Sequence, residues 1–327
     1  MDKPKILVVD DEPQNLQLVR QVLGGDYQLS FATDGDKALE AAVKHKPDLI
    51  LMDVMMPNVD GYQACRNLKA DPNLAKIPVI FVTAMGDVSD EAEGFDAGAV
   101  DYITKPIKAP VVKRRVATHL SLVNVEELKR TRLIIIQRLG RAAEFKDNET
   151  GLHVIRMSHY CKILAEKISQ PPEWCTLVFQ ATPMHDVGKI GVPDKVLLKP
   201  GPLNDDEWKI MKRHPKMGAD IIGGHDSKLL TMAASIALTH HEKWDGSGYP
   251  AGLKGEEIPL ASRITAVADV FDALTTVRPY KDAWPVEKAI KLLQEEQGKH
   301  FDPELSPAFI SCLDDVLAIK ERWAETK

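Results

Sequence analysis

Sulfur ligands are scarce in this 327-residue chain. Its four cysteines, Cys65, Cys161, Cys175 and Cys312, are scattered without paired spacing. That scatter argues against a disulfide framework or a zinc knuckle and fits a reducing compartment, with the four acting as small buried apolar residues. Long apolar runs are missing too. No stretch approaches the roughly eighteen residues a membrane span needs. The first residues, Met-Asp-Lys-Pro-Lys, lead into a strand pattern without the apolar region of a signal peptide, so the expected location is the cytoplasm, with no membrane span. Excess positive charge is also lacking: the net charge is -6, which excludes a general basic field and makes DNA an unexpected partner. Low-complexity tracts are absent. What remains, 44% hydrophobic and 28% charged residues, is the ordinary composition of folded domains, and the length suits two of them.

From Lys5 to Thr104, short apolar runs alternate with amphipathic segments, the pattern of a parallel sheet with crossover helices. Five strands are expected, at Ile6 to Val9, Gln28 to Ala32, Leu49 to Met52, Val79 to Thr83 and Tyr102 to Thr104. Asp34-Gly35-Asp36 caps the second helix and Asp60-Gly61 opens the third. Asp10 and Asp11 follow the first strand, Asp53 follows the third, and Thr83 and Lys105 end the fourth and fifth. In a doubly wound sheet all of these meet at the C-terminal edge. Three carboxylates, a hydroxyl and an ammonium there suit Mg²⁺ and a phosphoryl group, and an aspartate beside the cation can attack a phosphoryl donor. A plain helix-capping cluster would account for Asp-Asp-Glu after the first strand but leaves Asp53, Thr83 and Lys105 unexplained.

Residues 3 to about 118 resemble a response-regulator receiver domain, through Val8–Glu12 (VVDDE), Leu51–Pro57 (LMDVMMP), Val82–Ala84 (VTA) and Ile103–Pro106 (ITKP). The resemblance implies a flavodoxin-like fold. It makes Asp53 the phosphoacceptor, gives Asp10 and Asp11 the Mg²⁺ together with the backbone carbonyl of Met55, and assigns the phosphoryl oxygens to Thr83 and Lys105. Tyr102 is the aromatic that reorients with Thr83, Lys105-Pro106 is a candidate cis peptide, and a sensor histidine kinase is the phosphodonor.

Residues 108 to 146 read as one or two helices. Val125, Leu128, Ile135 and Leu139 recur at helical spacing, with Arg132 interrupting the stripe. This marks a packed or dimerising helix, through which, or through the receiver, a homodimer would form. Its many lysines and arginines lack interleaved aromatics and are read as a solvated face in preference to a nucleic-acid or membrane surface. The expected division is 1–118, a helical connector at 119–140, and 141–327. A continuous helix would let a change at Asp53 reach the second domain.

Beyond about Leu139 the strand pattern stops and helices dominate, predicting an all-helical second domain. Five of the ten histidines fall in a spaced series with acidic companions. Glu149 and His153 stand four apart, one helical turn. His185 and Asp186 are adjacent and on a helix would point about 100 degrees apart, serving two cations or bridging them through the aspartate. His214 follows, then His240 and His241, and Asp269 closes the series within an apolar helix, where an unpaired carboxylate is costly. Eight nitrogen and oxygen donors suit two or three divalent ions able to polarise a phosphodiester. The absence of thiolates points to iron, manganese or similar metals. Isolated histidines are usually structural, but a series with acidic partners is not well explained that way.

This stretch resembles the HD-GYP family of HD-type metal phosphohydrolases, through NETGLH, HDVGKIGVPD, HPKMG, HHEKWDGSGYP, IPLASRITAVAD and RPYK between about Arg138 and Phe309. The resemblance implies hydrolysis of cyclic di-GMP to the linear dinucleotide pGpG and on to GMP, with other cyclic dinucleotides as substrates of some relatives. It implies Glu149, His153, His185, Asp186, His214, His240, His241 and Asp269 as ligands, Asp186 as the bridge and a catalytic residue, and room for a third ion because an acid stands at Glu149. It places Lys189 on a phosphate oxygen and Arg278 and Lys281 on the second phosphate, although Lys189 also reads as a solvated lysine and Arg278 as a helix-end charge. Asp245, Gly246, Gly248, Tyr249 and Pro250 form a tight turn that shapes the pocket lip and offers a surface to partners such as diguanylate cyclases. Against the family pattern the connector is short, and no third domain is expected after Asp314. The favoured function is phosphorylation-controlled cyclic di-GMP hydrolysis. The alternatives are a nucleotide-binding adaptor without turnover and a phosphohydrolase for other nucleotides.

Overall fold

The structure, a computed structural model, describes residues 3–84, 88–146, 151–277 and 282–324, with side chains described throughout except at 88–91 and 126. The chain divides into two compact units, Met1–Arg130 and Thr131–Lys327. In the first, strands β1 (Lys5–Val9), β2 (Gln28–Ala32), β3 (Leu49–Asp53), β4 (Val79–Thr83) and β5 (Asp101–Thr104) alternate with helices α1 (Pro13–Leu23), α2 (Gly35–His45), α3 (Gly61–Ala70) and α4 (Val88–Asp96). The sheet is parallel throughout, in the order β2-β1-β3-β4-β5. Its central strands are apolar at nearly every position because helices cover both faces. Leu7, Val9, Ile50, Met52 and Phe81 enter one core, and their alternates Ile6, Val8, Leu49, Leu51, Ile80 and Val82 enter the other. Capping follows the sequence: the Asp34 side chain accepts from the Asp36 N–H at 3.3 Å and Asp60 from Gln63 N–H at 2.7 Å.

Helix α5 (Ala109–Lys146) is a single helix of 38 residues. Val112, Val116 and Leu120 near its start are buried in the first unit's core, and Ile136 near its end in the second unit's core. The stripe read from the sequence, Val125, Leu128, Ile135 and Leu139, is exposed, and Arg132 donates to Gln180 Oε1 at 3.3 Å.

The second unit is helical: α6 (Leu152–Lys167), α7 (Pro172–Ala181), α8 (Asp194–Leu197), α9 (Asp205–Met211), α10 (His214–Ile222), α11 (Lys228–Thr239), α12 (Leu260–Thr275), α13 (Val286–Glu295), α14 (Leu305–Ser311) and α15 (Leu313–Arg322), with short 3-10 turns at Thr182–Met184, Val187–Gly191 and Gly255–Glu257. Its core is centred on α6 and α12, where Tyr160, Phe271 and Phe309 meet edge to face at 5.1 to 6.4 Å. The four cysteines are free and buried. Close backbone approach is set by Gly188, where a Cβ would sit 1.9 Å from the His214 carbonyl oxygen. Only glycine lets the start of α10 lie against this turn.

A buried ion pair ties α6 to α12. Arg156 and Asp272 are each 1% exposed, and the guanidinium donates from Nε and Nη2 to the two Asp272 oxygens at 2.7 Å each. Burial raises the Asp272 pKa, but the hydrogen bonds from Arg156 and His153 outweigh it and hold the carboxyl well below its usual range. A group depressed in this way contributes stability above its unfolded pKa of about 3.9, and that contribution is lost as pH falls below it toward the folded value. Asp272→Asn is therefore expected to cost about 3 kcal/mol at pH 7 by stranding a buried guanidinium, and to flatten the decline in stability that the wild type shows below about pH 4. All five tryptophans belong to the second unit, so denaturant titrations followed by tryptophan fluorescence at pH 7 and pH 3 read it directly. Equal stabilities for the two proteins at pH 7 would remove the pair from the stability of this unit.

Candidate metal centre and phosphoacceptor site

Each ligand of the histidine series is presented by the end or the middle of a helix. His153 lies in the first turn of α6, which Gly151 opens at a φ of 68°. His214 begins α10, His240 caps the C-terminus of α11 with His241 next, and Asp269 lies within α12. His185 and Asp186 do not share a helix, contrary to the sequence expectation. They occupy the break between two 3-10 turns, Asp186 with φ -104° and ψ 12°. The glycines at 188 and 191, with Gly188 pressed on the His214 carbonyl, favour that tight turn over a regular helix.

The folded chain gathers these residues into adjoining groups. Asp186, His214, His240 and His241 bring one ligand atom each within 4.8 Å of one another, as do His153, His185 and Asp269. Four imidazoles are held by the nitrogen away from the cluster. His185 Nδ1 lies 3.1 Å from the Thr182 carbonyl, His214 Nδ1 2.8 Å from that of Met211, His240 Nδ1 3.0 Å from that of Ile236, and His153 Nδ1 2.8 Å from Asp272 Oδ2. A carbonyl or carboxylate can only accept, so these contacts place the proton on Nδ1 and aim the Nε2 lone pair inward. Inside the cluster Asp186 Oδ1 therefore faces acceptors, 3.1 and 3.4 Å from Nε2 of His214 and His240, and His241 Nε2 lies 3.1 Å from His214 Nε2. His185 Nε2, His240 Nε2 and Asp186 Oδ1 are buried without a hydrogen-bond partner. Converging ring nitrogens and carboxylate oxygens, three of them buried without a partner, fit divalent cations.

Burial lowers the affinity of His240 and His241 for a proton, which keeps them neutral and ligating. Burial would raise the Asp186 pKa, but the Lys189 ammonium and the imidazoles overcome it, so Asp186 stays ionised. Lys189 Nζ lies 2.8 Å from Asp186 Oδ2, placing the ammonium at the edge of the cluster. Tyr249 stacks on His241 with ring centroids 4.8 Å apart, and the Tyr249-Pro250 bond is cis. Asp245 caps its own turn by accepting from Ser247 N–H at 2.8 Å, and Gly246 adopts φ 85°. A Cβ on Gly248 would lie 2.3 Å from the Lys243 nitrogen, so the turn folds back directly on the segment after His241.

Glu149, Arg278 and Lys281 lie outside the described residues. Three other groups escaped the sequence reading. Asp272 orients His153, and the pattern Ala-Asp-Val-Phe-Asp, with carboxylates three apart on an apolar helix, was its signal. Glu242 is buried and accepts backbone N–H groups of Ala251, Gly252 and Leu253 at 2.7 to 3.2 Å, which holds the turn after Pro250. Glu144, in the last turn of α5, forms a third group with His185 and Asp186.

In the first unit the register Val9↔Met52 and Asp53↔Val82 sets Asp10, Asp53 and Thr83 along one sheet edge. Asp10, Asp11 and Asp53 offer oxygens within 4.8 Å of one another, a set that fits one hard cation. Lys105 Nζ lies 2.7 Å from Asp53 Oδ2 and 3.4 Å from Asp10 Oδ2, and the Lys105-Pro106 bond is cis as expected. Burial and the Asp10 charge raise the Asp53 pKa despite Lys105. Met55 N–H donates to Asp53 Oδ1 at 3.4 Å. Thr83 is buried, and Tyr102 is half-buried under the Arg115 guanidinium, 5.6 Å from its ring centroid.

Comparison with known proteins finds a family for each unit. A response regulator receiver domain family matches residues 6–117 and an HD domain family matches residues 120–305. A probable cyclic di-GMP phosphodiesterase of Vibrio cholerae is 38% identical over 98% of this chain and 80% of its own length. A cyclic di-GMP phosphodiesterase response regulator of Xanthomonas campestris is 37% identical over 93% and 86%. A 3'3'-cGAMP-specific phosphodiesterase of Vibrio cholerae is 42% identical over 59% of this chain and 37% of that relative. No helix among the described residues is long and apolar enough to cross a membrane. A receiver edge and an imidazole cluster in one chain, with relatives of the same two-part build, place this protein in the response-regulator family that joins a receiver domain to an HD-type metal phosphohydrolase domain, the cyclic di-GMP phosphodiesterase family.

Proposed function

We propose that this protein hydrolyses cyclic di-GMP in the cytoplasm under the control of phosphorylation at Asp53. The observation that supports it most is the cluster of inward-facing, unpartnered imidazole nitrogens around Asp186. Two or three divalent ions, iron or manganese, when bound there, supply positive charge that polarises a phosphodiester and stabilises the leaving oxygen. His153, His185, His214, His240, His241, Asp269 and Glu149 are the proposed ligands, with Asp186 ionised between the imidazole groups as the bridge. Lys189 is proposed to neutralise a nonbridging phosphate oxygen, a role that its position beside Asp186 supports. Arg278 and Lys281 are proposed for the second phosphate, and the stacked Tyr249 shapes the mouth of the site. Metal-loaded protein is expected to convert cyclic di-GMP to pGpG and GMP on chromatography, and Asp186→Asn to lower the rate at least about 100-fold by removing a ligand. Absence of product with iron, manganese and cobalt alike would overturn the reading. The cGAMP-specific relative favours one second reading, the mixed GMP-AMP cyclic dinucleotide as substrate, and faster turnover of that dinucleotide in the same assay would select it.

For the receiver, Asp10, Asp11, Asp53 and the Met55 carbonyl are proposed to hold Mg²⁺, Thr83 and Lys105 to bind the phosphoryl oxygens, and a sensor histidine kinase to supply the phosphate. The exposed stripe on α5 supports a homodimer, and the turn at 245–250 offers a face to a diguanylate cyclase. Beryllofluoride with Mg²⁺, which mimics an aspartyl phosphate, is expected to change the hydrolysis rate of the wild type and leave that of Asp53→Ala unchanged. Identical rates in both proteins with and without beryllofluoride would disconnect Asp53 from the second unit.

A further inference from the structure

The end of α5 is clamped on either side of the His185–Asp186 turn. A Cβ on Gly140 would stand 2.1 Å from the Pro183 carbonyl oxygen, so the helix backbone touches the chain just before His185. Lys146 Nζ donates to the carbonyls of Ile190 at 2.8 Å and Val192 at 2.6 Å, just after it. Glu144 lies between these two contacts. It is 1% exposed, offers an oxygen within 4.8 Å of ligand atoms of His185 and Asp186, and neither of its oxygens has a hydrogen-bond partner. No lysine or arginine among the described residues lies within ion-pair distance of it.

Two physical considerations make this carboxylate hard to explain as packing. A buried acid is tolerated when it is paired or hydrogen-bonded, and among the described residues Glu144 is neither. The last turn of a helix also disfavours a negative group, because the macrodipole is negative there. We propose that Glu144 is a metal-binding carboxylate of the centre, facing the cation position shared by His185 and Asp186. The inference rests on the metal-centre reading above and adds to it a ligand delivered by α5. His185 has only Nε2 to offer, since Nδ1 faces Thr182. One cation therefore takes that nitrogen, and Glu144 is the carboxylate that completes its oxygen ligation from the α5 side.

The test uses full-length protein stripped with a chelator and titrated with Mn²⁺, with bound ions counted by elemental analysis, affinity measured by chelator competition, and thermal unfolding recorded for stripped and reloaded forms. Glu144→Gln, which preserves shape and removes charge, is expected to leave the stripped protein as stable as the wild type or more so. It is also expected to weaken Mn²⁺ binding about 10- to 100-fold or remove one ion. Glu144→Asp, which keeps the charge but withdraws the oxygens, is expected to fold and to bind with affinity between the two. Mn²⁺ affinity within twofold of wild type in Glu144→Gln overturns the proposal, as does a fall in melting temperature that is the same with and without metal. Should Glu144→Gln not fold, the Asp variant decides, and undiminished affinity in it overturns the proposal equally. None of these readouts involves a nucleotide, so a wild type that binds Mn²⁺ through Glu144 yet releases no product from cyclic di-GMP would refute the substrate reading and leave this one standing.

Discussion

The second unit depends on one electrostatic constraint, that Asp186 and a ring of imidazole nitrogens converge with Lys189 alone, among the described residues, donating from the edge. Acceptors packed this closely repel, and four of the five rings are held from behind. The carbonyls of Thr182, Met211 and Ile236 and the Asp272 carboxylate fix the tautomer and orientation of His185, His214, His240 and His153. Three of the four anchors are backbone carbonyls at helix ends or in a short turn, and those of Thr182 and Ile236 also accept the N–H groups of His185 and His240. The helix ends thus supply the acceptors that the ligand cage requires, and the Arg156–Asp272 pair extends the same support one layer deeper into the core.

Both units gather carboxylates at one place, but they use different scaffolds. In the first, parallel strand register brings Asp10 and Asp53 to one sheet edge, and a single ammonium, Lys105, neutralises part of the charge. In the second, no register exists, and helix ends and tight turns converge from distant parts of the chain. Helix α5 contributes to both: its first turns bury Val112, Val116 and Leu120 in one core, and its last turn carries Glu144 to the metal cluster of the other. One helix thus belongs to both cores.

Much of this was legible beforehand. The alternating apolar runs gave all five strands to within one residue at either end, because a strand buried on both faces must be apolar at every position. The acids and the lysine after strands β1, β3 and β5 were readable as a site because strand ends in a doubly wound sheet have a fixed common edge. The histidine series was readable because imidazole beside carboxylate at repeated intervals has few structural uses. Asp272, Glu242 and Glu144 were not, since a single acid looks the same in sequence whether it is solvated, pairs with a buried arginine, or ties down a loop.

The sequence by itself determined the composition of the sites: which donors exist, that they are nitrogen and oxygen, and that they belong to a sheet domain followed by a helical one. Tertiary structure alone decided which of them meet and which nitrogen of each ring faces inward. It also decided that His185 and Asp186 sit in a turn, and that an acid at the end of α5 joins them. The reason is physical. Residue type and local periodicity fix what a side chain can bind, whereas desolvation, pairing and ring orientation depend on atoms brought close from more than a hundred residues away, as with Asp272 on His153.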